Sequence, residues 1–267
     1  MKRSSLDLLA CPGCHGPLKF DGEDMSVLLF GTLTCPACDT IFTLEHGIPH
    51  FIQPGQLTGL NRRFSRMYDW SSWAYRAFSK LAFAFIGMNE ETGRREITDQ
   101  LDPHGGKVFE VSIGPAVNLP YIVDRPDVGE VFGLDISLGQ LLNCQRYVTK
   151  KDWFVDLFLG NAEQLPFKDE VFEGVFHVGG INFFNNKKSA IDEMIRVAKS
   201  GARVLIADET ERDAQGYEKF IPGFKNSFSD KRSEIVAPID FVPKEMLEAR
   251  VFEAWKGWFY CIEFRKP

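Results

Sequence analysis

The sequence predicts an α/β protein: a mostly parallel β-sheet covered by helices, with a small cysteine-bearing β module ahead of it. Three observations carry that prediction. From Lys107 onward, short apolar runs alternate with amphipathic stretches in a strand, turn, helix order. The first two runs end in acids and small residues, the composition expected where a parallel sheet opens onto a ligand. Before residue 40 lie two Cys-x-x-Cys pairs, in a stretch too short to bury much surface by itself.

The module is read over residues 1–54. Cys11-Pro12-Gly13-Cys14 and Cys35-Pro36-Ala37-Cys38 are separated by twenty residues. Two tight turns, each presenting a pair of thiolates, suit the tetrahedral preference of zinc. All four ligands would come from the protein, which leaves no open position for catalysis and makes the metal structural. Leu18-Lys19-Phe20, Val27 to Phe30 and Thr40 to Leu44 are the strand candidates, followed by a turn at His46-Gly47 and then Ile48-Pro49. Leu6 to Cys14, Gly16-Pro17-Leu18 and Glu45 to Pro49 together resemble the Trm112-like zinc-ribbon family. Its members stand alone as partners of methyltransferases or occur as domains of larger chains, so the resemblance implies a ribbon attached to its own enzyme.

Residues 55–104 read as a helical connector. Leu60, Phe64, Met67, Ser71, Ala74, Phe78, Leu81 and Phe85 recur at alternating steps of four and three, one stripe of a helix or helix pair. Tyr68, Trp70, Trp73, Tyr75 and Phe83 add to its aromatic content. The stripe is read chiefly as a core-facing surface, with a lid over an apolar substrate as the sharper alternative. A polar helix from Glu90 to Leu101 follows, closed by Pro103-His104-Gly105-Gly106.

Residues 105–267 hold the sheet. Val108 to Ile113 reads as a buried strand running into the small-residue turn Gly114-Pro115-Ala116, and Val131 to Ile136 as a second strand containing Asp135. Val171 to Val178 is another, followed by a helix from about Ser189 to Lys199 and a strand at Ala202 to Ala207. Small residues let a backbone approach a nucleotide closely, and an acid after the second strand suits ribose hydroxyls.

In that order these segments resemble the class I S-adenosylmethionine-dependent methyltransferases (the type 11-like group), whose fold is Rossmann-like with an antiparallel C-terminal hairpin, here Phe252 to Arg265. The resemblance implies cofactor-binding roles for Glu110, Ser112 and Gly114 in the first motif, for Asp135 with Ile136 at the ribose, and for Asn161 with Ala162 at the adenine. It places His177 beside the methionine end of the cofactor or the acceptor, where it is the one candidate for a catalytic base. Two departures stand out: Ser112 and Ala116 replace two of three usual glycines, and Asn161 replaces the usual Asp. The implied cofactor is S-adenosylmethionine, with structural zinc at Cys11, Cys14, Cys35 and Cys38.

Composition narrows the acceptor. Lys and Arg total 31 against 37 Asp and Glu, a net charge of −6, which does not favour a long nucleic-acid footprint. Between Cys11 and Cys38 the only Lys or Arg is Lys19, and no N-P-P-Y signature of base amino-methylation occurs. No apolar run reaches the roughly 20 residues of a membrane span, and Asp7 interrupts any export signal, so a cytoplasmic protein is expected, with Cys144 and Cys261 as thiols. Gly179 to Phe184 marks the acceptor side, and Phe220, Phe224 and Phe228 suggest a cap within Thr210 to Pro238. The expected function is methyl transfer to a small, lipophilic acceptor. The alternatives are an RNA methyltransferase of the ribosomal guanine type, with the ribbon holding RNA, and a catalytically inactive scaffold.

Overall fold

The computed structural model describes residues 1–71, 89–210 and 237–267. Ala74, Phe78, Leu81 and Phe85 of the predicted stripe lie outside them, as do Trp73, Tyr75 and Phe83 and the predicted cap residues Phe220, Phe224 and Phe228. The chain forms strands β1 (Lys19–Asp21), β2 (Gly31–Thr34), β3 (Ile41–Glu45) and β4 (Ile48–His50), then helices α1 (Gly59–Ser71) and α2 (Glu90–Thr98). There follow β5 (Gly106–Val111), β6 (Val128–Asp135), α3 (Leu138–Lys150), β7 (Val155–Leu159), β8 (Phe172–Val178), α4 (Lys187–Val197), β9 (Ala198–Glu209), β10 (Leu247–Ala254) and β11 (Phe259–Arg265).

The eleven strands of the described residues belong to one sheet, in the order β1-β2-β3-β4-β7-β6-β5-β8-β9-β11-β10. The central strands from β7 to β9 are parallel, and β9-β11-β10 is the antiparallel C-terminal end. The strand order reverses direction beside β5, so the carboxyl ends of β5, β6 and β8 border the crevice where open α/β sheets bind ligands.

Alternation along the strands builds two cores, one on each face. Phe109, Phe132 and Phe158 join Ile191 and Met194 of α4, whereas Val108, Val131 and Leu157 join Leu141, Cys144 and Val148 of α3. The two helices therefore cover opposite faces, as the predicted fold requires. The first core is dominated by phenylalanine: Phe109 stacks on Phe172 at 4.7 Å and meets Phe167 edge-on at 4.9 Å. Among the described residues no helix is long and apolar enough to cross a membrane.

The N-terminal module is less separate than its sequence suggests. β4 pairs in parallel with β7 at His50 and Leu159, and Phe51 N–H donates to Leu159 O at 2.8 Å. On the far side of the module, Ala10 N–H donates to Pro166 O and Lys168 N–H to Leu8 O. The buried Asp156 on β7 accepts from Lys2 N–H at 2.9 Å and Ser5 Oγ at 2.5 Å. The ribbon thus covers an edge strand that would otherwise present unpaired backbone.

One strand expectation is corrected. Val27 to Phe30 does not form β2; Val27 makes an isolated bridge to Lys2, and Leu29 and Phe30 are exposed. The strand is the next segment, because Leu33 pairs with Phe42 and turns into the core, a register the apolar run cannot match.

Candidate active site

A cleft lies over the carboxyl ends of β5, β6 and β8. One wall is Ser112 to Pro115, Leu134 to Ile136 and Gly160 to Ala162; the other is Val178 to Gly180 with Phe183 and Phe184. Asn61, Phe64 and Tyr68 of α1 close it from above. Six of the eight predicted cofactor residues line this cleft: Ser112, Gly114, Asp135, Ile136, Asn161 and Ala162.

The turn after β5 keeps the backbone shape of a glycine-rich loop without two of its glycines. Ser112, Gly114 and Ala116 all adopt left-handed φ values, 61°, 54° and 70°. A Cβ on Gly114 would meet no protein atom, which leaves that side of the turn open to a ligand. The left-handed region costs a non-glycine residue about 1–2 kcal/mol. Replacing Ser112 with Gly gives back roughly 0.5–1 kcal/mol of that through the greater entropy of the unfolded chain. S112G is therefore expected to stabilise the protein by about 0.5–1 kcal/mol, read as a Tm a few degrees higher in a thermal melt; an unchanged or lower Tm would refute strain at this turn.

Asp135 ends β6 and is 6% exposed. Its Oδ2 accepts from Gly114 N–H at 2.8 Å and its Oδ1 from Ser137 N–H at 2.9 Å. Burial pushes its pKa up to about 6, with these backbone donors pulling the other way. Asn161 accepts from Glu163 N–H through Oδ1 at 3.0 Å, so its amide nitrogen is the group left to face the cleft.

Two predicted residues sit behind the wall instead. Glu110 is fully buried, with Oε1 accepting from Asn118 Nδ2 at 2.6 Å and Oε2 unpaired. Burial raises its pKa to about 8, which makes it mainly a neutral acid at pH 7. Asn118, which does line the cleft, in turn accepts from the buried Arg94 of α2 at 2.6 Å. His177 is also fully buried; its Nδ1 lies 3.0 Å from Val111 O, which fixes the proton there and leaves Nε2 without a partner. Burial lowers its pKa, so the ring is neutral.

Several supporting residues were not predicted. Asn61, Ser65 and Asp69 fall on one stripe of α1; Asn61 bonds the loop after β7, and Ser65 and Asp69 bond the loop after β6. Asn61 Nδ2 donates to Glu163 Oε1 at 2.9 Å, and Ser65 Oγ donates to Ile136 O at 3.2 Å. Asp69 Oδ1 accepts from Ser137 Oγ at 2.6 Å and Gly139 N–H at 2.9 Å. Asp208, buried at the end of β9, accepts from Gly180 N–H and Asn182 N–H and so holds the loop after β8. Their spacing in sequence shows helical period but not what each helix or strand end will meet.

The four cysteines of the ribbon converge. Their sulfur atoms all lie within 4.8 Å of one another, with Cys11–Cys38, Cys14–Cys38 and Cys14–Cys35 at 3.7, 3.6 and 3.4 Å. Tetrahedral zinc with bonds of about 2.3 Å needs sulfurs about 3.8 Å apart. The two knuckles close alike: Cys11 N–H donates to Gly16 O and Cys35 N–H to Thr40 O, with His15 and Asp39 both in the left-handed region. The donor set and its spacing fit a four-coordinate zinc.

Comparison with known proteins follows the same division. Residues 109–206 match the methyltransferase domain family and residues 2–47 the Trm112p-like protein family. The chain combines a Trm112p-like domain with an S-adenosylmethionine-dependent methyltransferase domain. A phosphatidylethanolamine N-methyltransferase of Cereibacter sphaeroides is 27% identical over 164 residues, 60% of this chain and 79% of the relative. A demethylmenaquinone methyltransferase of Lactiplantibacillus plantarum is 38% identical over 87 residues, which span 37% of that protein and 32% of this one. Among solved structures, phosphoethanolamine N-methyltransferase 2 of Haemonchus contortus with S-adenosylmethionine superposes with a TM-score of 0.59 at 17% identity, over 85% of this chain and 63% of that one. The complex of the Haloferax volcanii Trm112 methyltransferase activator with its putative methyltransferase gives 0.51 at 16% identity, over 75% of this chain and 97% of the other. At such identities the structural likeness concerns the methyltransferase fold.

Proposed function

We propose that the protein transfers the methyl group of S-adenosylmethionine to a small, lipophilic acceptor. The observation that carries this reading is the two-ended cleft. Its motif end offers Asp135, Asn161 and the Ser112–Gly114 backbone, whereas its other end is aromatic, with the rings of Phe64 and Phe183 tilted against each other at 4.3 Å beside Tyr68 and Phe184. The cofactor supplies an already activated methyl group on a sulfonium, so the chain's task is mainly to bind, orient and exclude water. In this reading Asp135 accepts from the ribose hydroxyls, Asn161 donates its amide to an acceptor nitrogen of the adenine, and Ile136 and Ala162 flank the ring. Aromatic faces around the transfer point favour a cationic sulfonium and an apolar acceptor together. Glu110 and His177 act from behind the wall as positioning residues: Glu110 through Asn118, and His177 by tying β8 to β5 at Val111. A neutral, fully buried His177 one layer from the cleft is not proposed as the base.

The ribbon holds zinc through Cys11, Cys14, Cys35 and Cys38 and supports the edge strand β7, whose end leads into Gly160 to Ala162. The relatives named for phosphatidylethanolamine and demethylmenaquinone support an acceptor of the lipophilic class. The test is a calorimetric titration with S-adenosylhomocysteine, followed by transfer of labelled methyl from S-adenosylmethionine to a lipid extract or to ribosomal RNA offered separately. Saturable binding with label in the lipid fraction is expected. Label in the RNA would replace the acceptor class, and an absence of cofactor binding would leave only a scaffold.

A further inference from the structure

We propose that the outer face of α1 docks the protein onto an anionic phospholipid surface. The inference rests on the lipophilic acceptor proposed above but is read out independently of it. Arg62, Arg63 and Arg66 are exposed, and among the described residues their guanidinium groups have no hydrogen-bond acceptor or carboxylate partner. Arg63 only passes over the neighbouring Phe64 ring, at 5.9 Å. The nine other described arginines each donate to an acceptor. Among the described residues, unpaired guanidinium charge is therefore gathered on one helix, in a chain whose net charge is −6.

The three arginines fall within about 100° of the helix circumference, on the side away from Phe64 and Tyr68. The same helix thus turns an apolar stripe into the cleft and a cationic stripe outward. In sequence the bias continues: residues 60–88 hold five basic residues against the single acid Asp69, together with eight aromatic residues. An outward stripe of arginines suits the surface of an anionic bilayer, where guanidinium groups meet headgroup phosphates. Nucleic acid would need a longer basic track, and the ribbon, with Lys19 as its only Lys or Arg between Cys11 and Cys38, does not extend one. A membrane seated on this face lies about one helix diameter, roughly 10 Å, from the cleft. An acceptor drawn from the bilayer would then have only a short path to the methyl donor.

The experiment is vesicle flotation of the full chain, with phosphatidylcholine alone and with phosphatidylcholine mixed with phosphatidylglycerol. The wild-type protein is expected to float with the anionic vesicles and not the neutral ones, and to be released by salt. The triple variant R62Q/R63Q/R66Q is expected to lose partition on the order of 100-fold, from three arginines each worth about a factor of five at an anionic surface. Its affinity for S-adenosylhomocysteine is expected to be unchanged, which shows the fold intact and separates this test from that of the acceptor. Equal partition of variant and wild type would overturn the proposal, as would equal binding to neutral vesicles. So would failure to float coupled with salt-sensitive retention of ribosomal RNA by these arginines.

Discussion

Replacing Cys35 with Ser is expected to release the metal and unfold the ribbon, with a loss of at least about 4 kcal/mol in stability. Cys35 is completely buried, and its sulfur lies 3.4 Å from that of Cys14. The strands around it are short: β1 and β4 have three residues each. Such a module relies on its metal, since binding free energy at a structural zinc site is folding free energy. The damage would not stay local. Cys11, Cys35, Leu33, Phe42 and Leu44 belong to the same core as Phe132 and Phe158 of the methyltransferase domain. Unfolding the ribbon would strip β7 of its partner β4 and leave Asp156 buried without Lys2 N–H and Ser5. Metal analysis of purified protein is expected to give one zinc per chain in the wild type and none in C35S, with the melt of C35S displaced downward and its affinity for S-adenosylhomocysteine reduced. Cys144→Ser is the control and should retain the zinc. Protein that carries no zinc, with C35S melting as wild type does, would refute the metal assignment.

The pattern of what sequence could show follows from the range of the interactions. The cysteine knuckles are local, since each is closed by a hydrogen bond between residues five apart, and Cys-Pro-x-Cys states that geometry outright. The first two methyltransferase strands are legible because each is apolar and ends at a marked residue, the small-residue turn after Val111 and Asp135 itself. β7, Val-Asp-Leu-Phe-Leu, is not legible as a buried strand: its Asp156 looks like an interruption, and only Ser5 and Lys2, more than 150 residues away in sequence, satisfy it. For Glu110, motif order gives the residue's position along the strand, not which layer its side chain occupies. Alternation puts Glu110 behind the turn, and only Arg94 and Asn118, brought in by other elements, explain how a buried carboxyl is held there.

The ribbon's attachment is also a matter of tertiary pairing. A small module and a parallel sheet can each be read alone, but the single register pair between His50 and Leu159 that merges them carries no sequence signature. It has a physical consequence for the site. The Haloferax volcanii complex shows a Trm112 activator and its methyltransferase as two chains. In the present protein the ribbon and the sheet belong to one chain, so their docking is intramolecular and independent of protein concentration.

Asp135→Asn is expected to weaken S-adenosylhomocysteine binding by about 10- to 150-fold, because in the proposed reading a charge-assisted bond to a ribose hydroxyl, worth about 1.5–3 kcal/mol, is lost. The same variant is expected to behave oppositely in stability. Burial raises the pKa of Asp135 in the folded protein to about 6, above its ordinary unfolded value of 3.8. A raised carboxyl pKa means that folding disfavours the ionised form. Wild-type stability relative to D135N therefore falls as pH rises from about 4 to about 6, by up to roughly 3 kcal/mol, and is level beyond that range. Cofactor affinity has the reverse pH dependence. Hydroxyl donors require the carboxylate, so binding by the wild type weakens about tenfold per pH unit below pH 6, whereas binding by D135N stays flat. Thermal melts and calorimetric titrations of both proteins across this range test both signs. A residue retained for structure alone would lose stability and affinity together. A residue placed to bind ribose, as proposed for Asp135, holds its charge at a cost to the empty protein; Asp135 lines the cleft, is buried and accepts from two backbone N–H groups. D135N that bound S-adenosylhomocysteine as tightly as wild type at neutral pH would remove Asp135 from the cofactor site, whatever its effect on the melt.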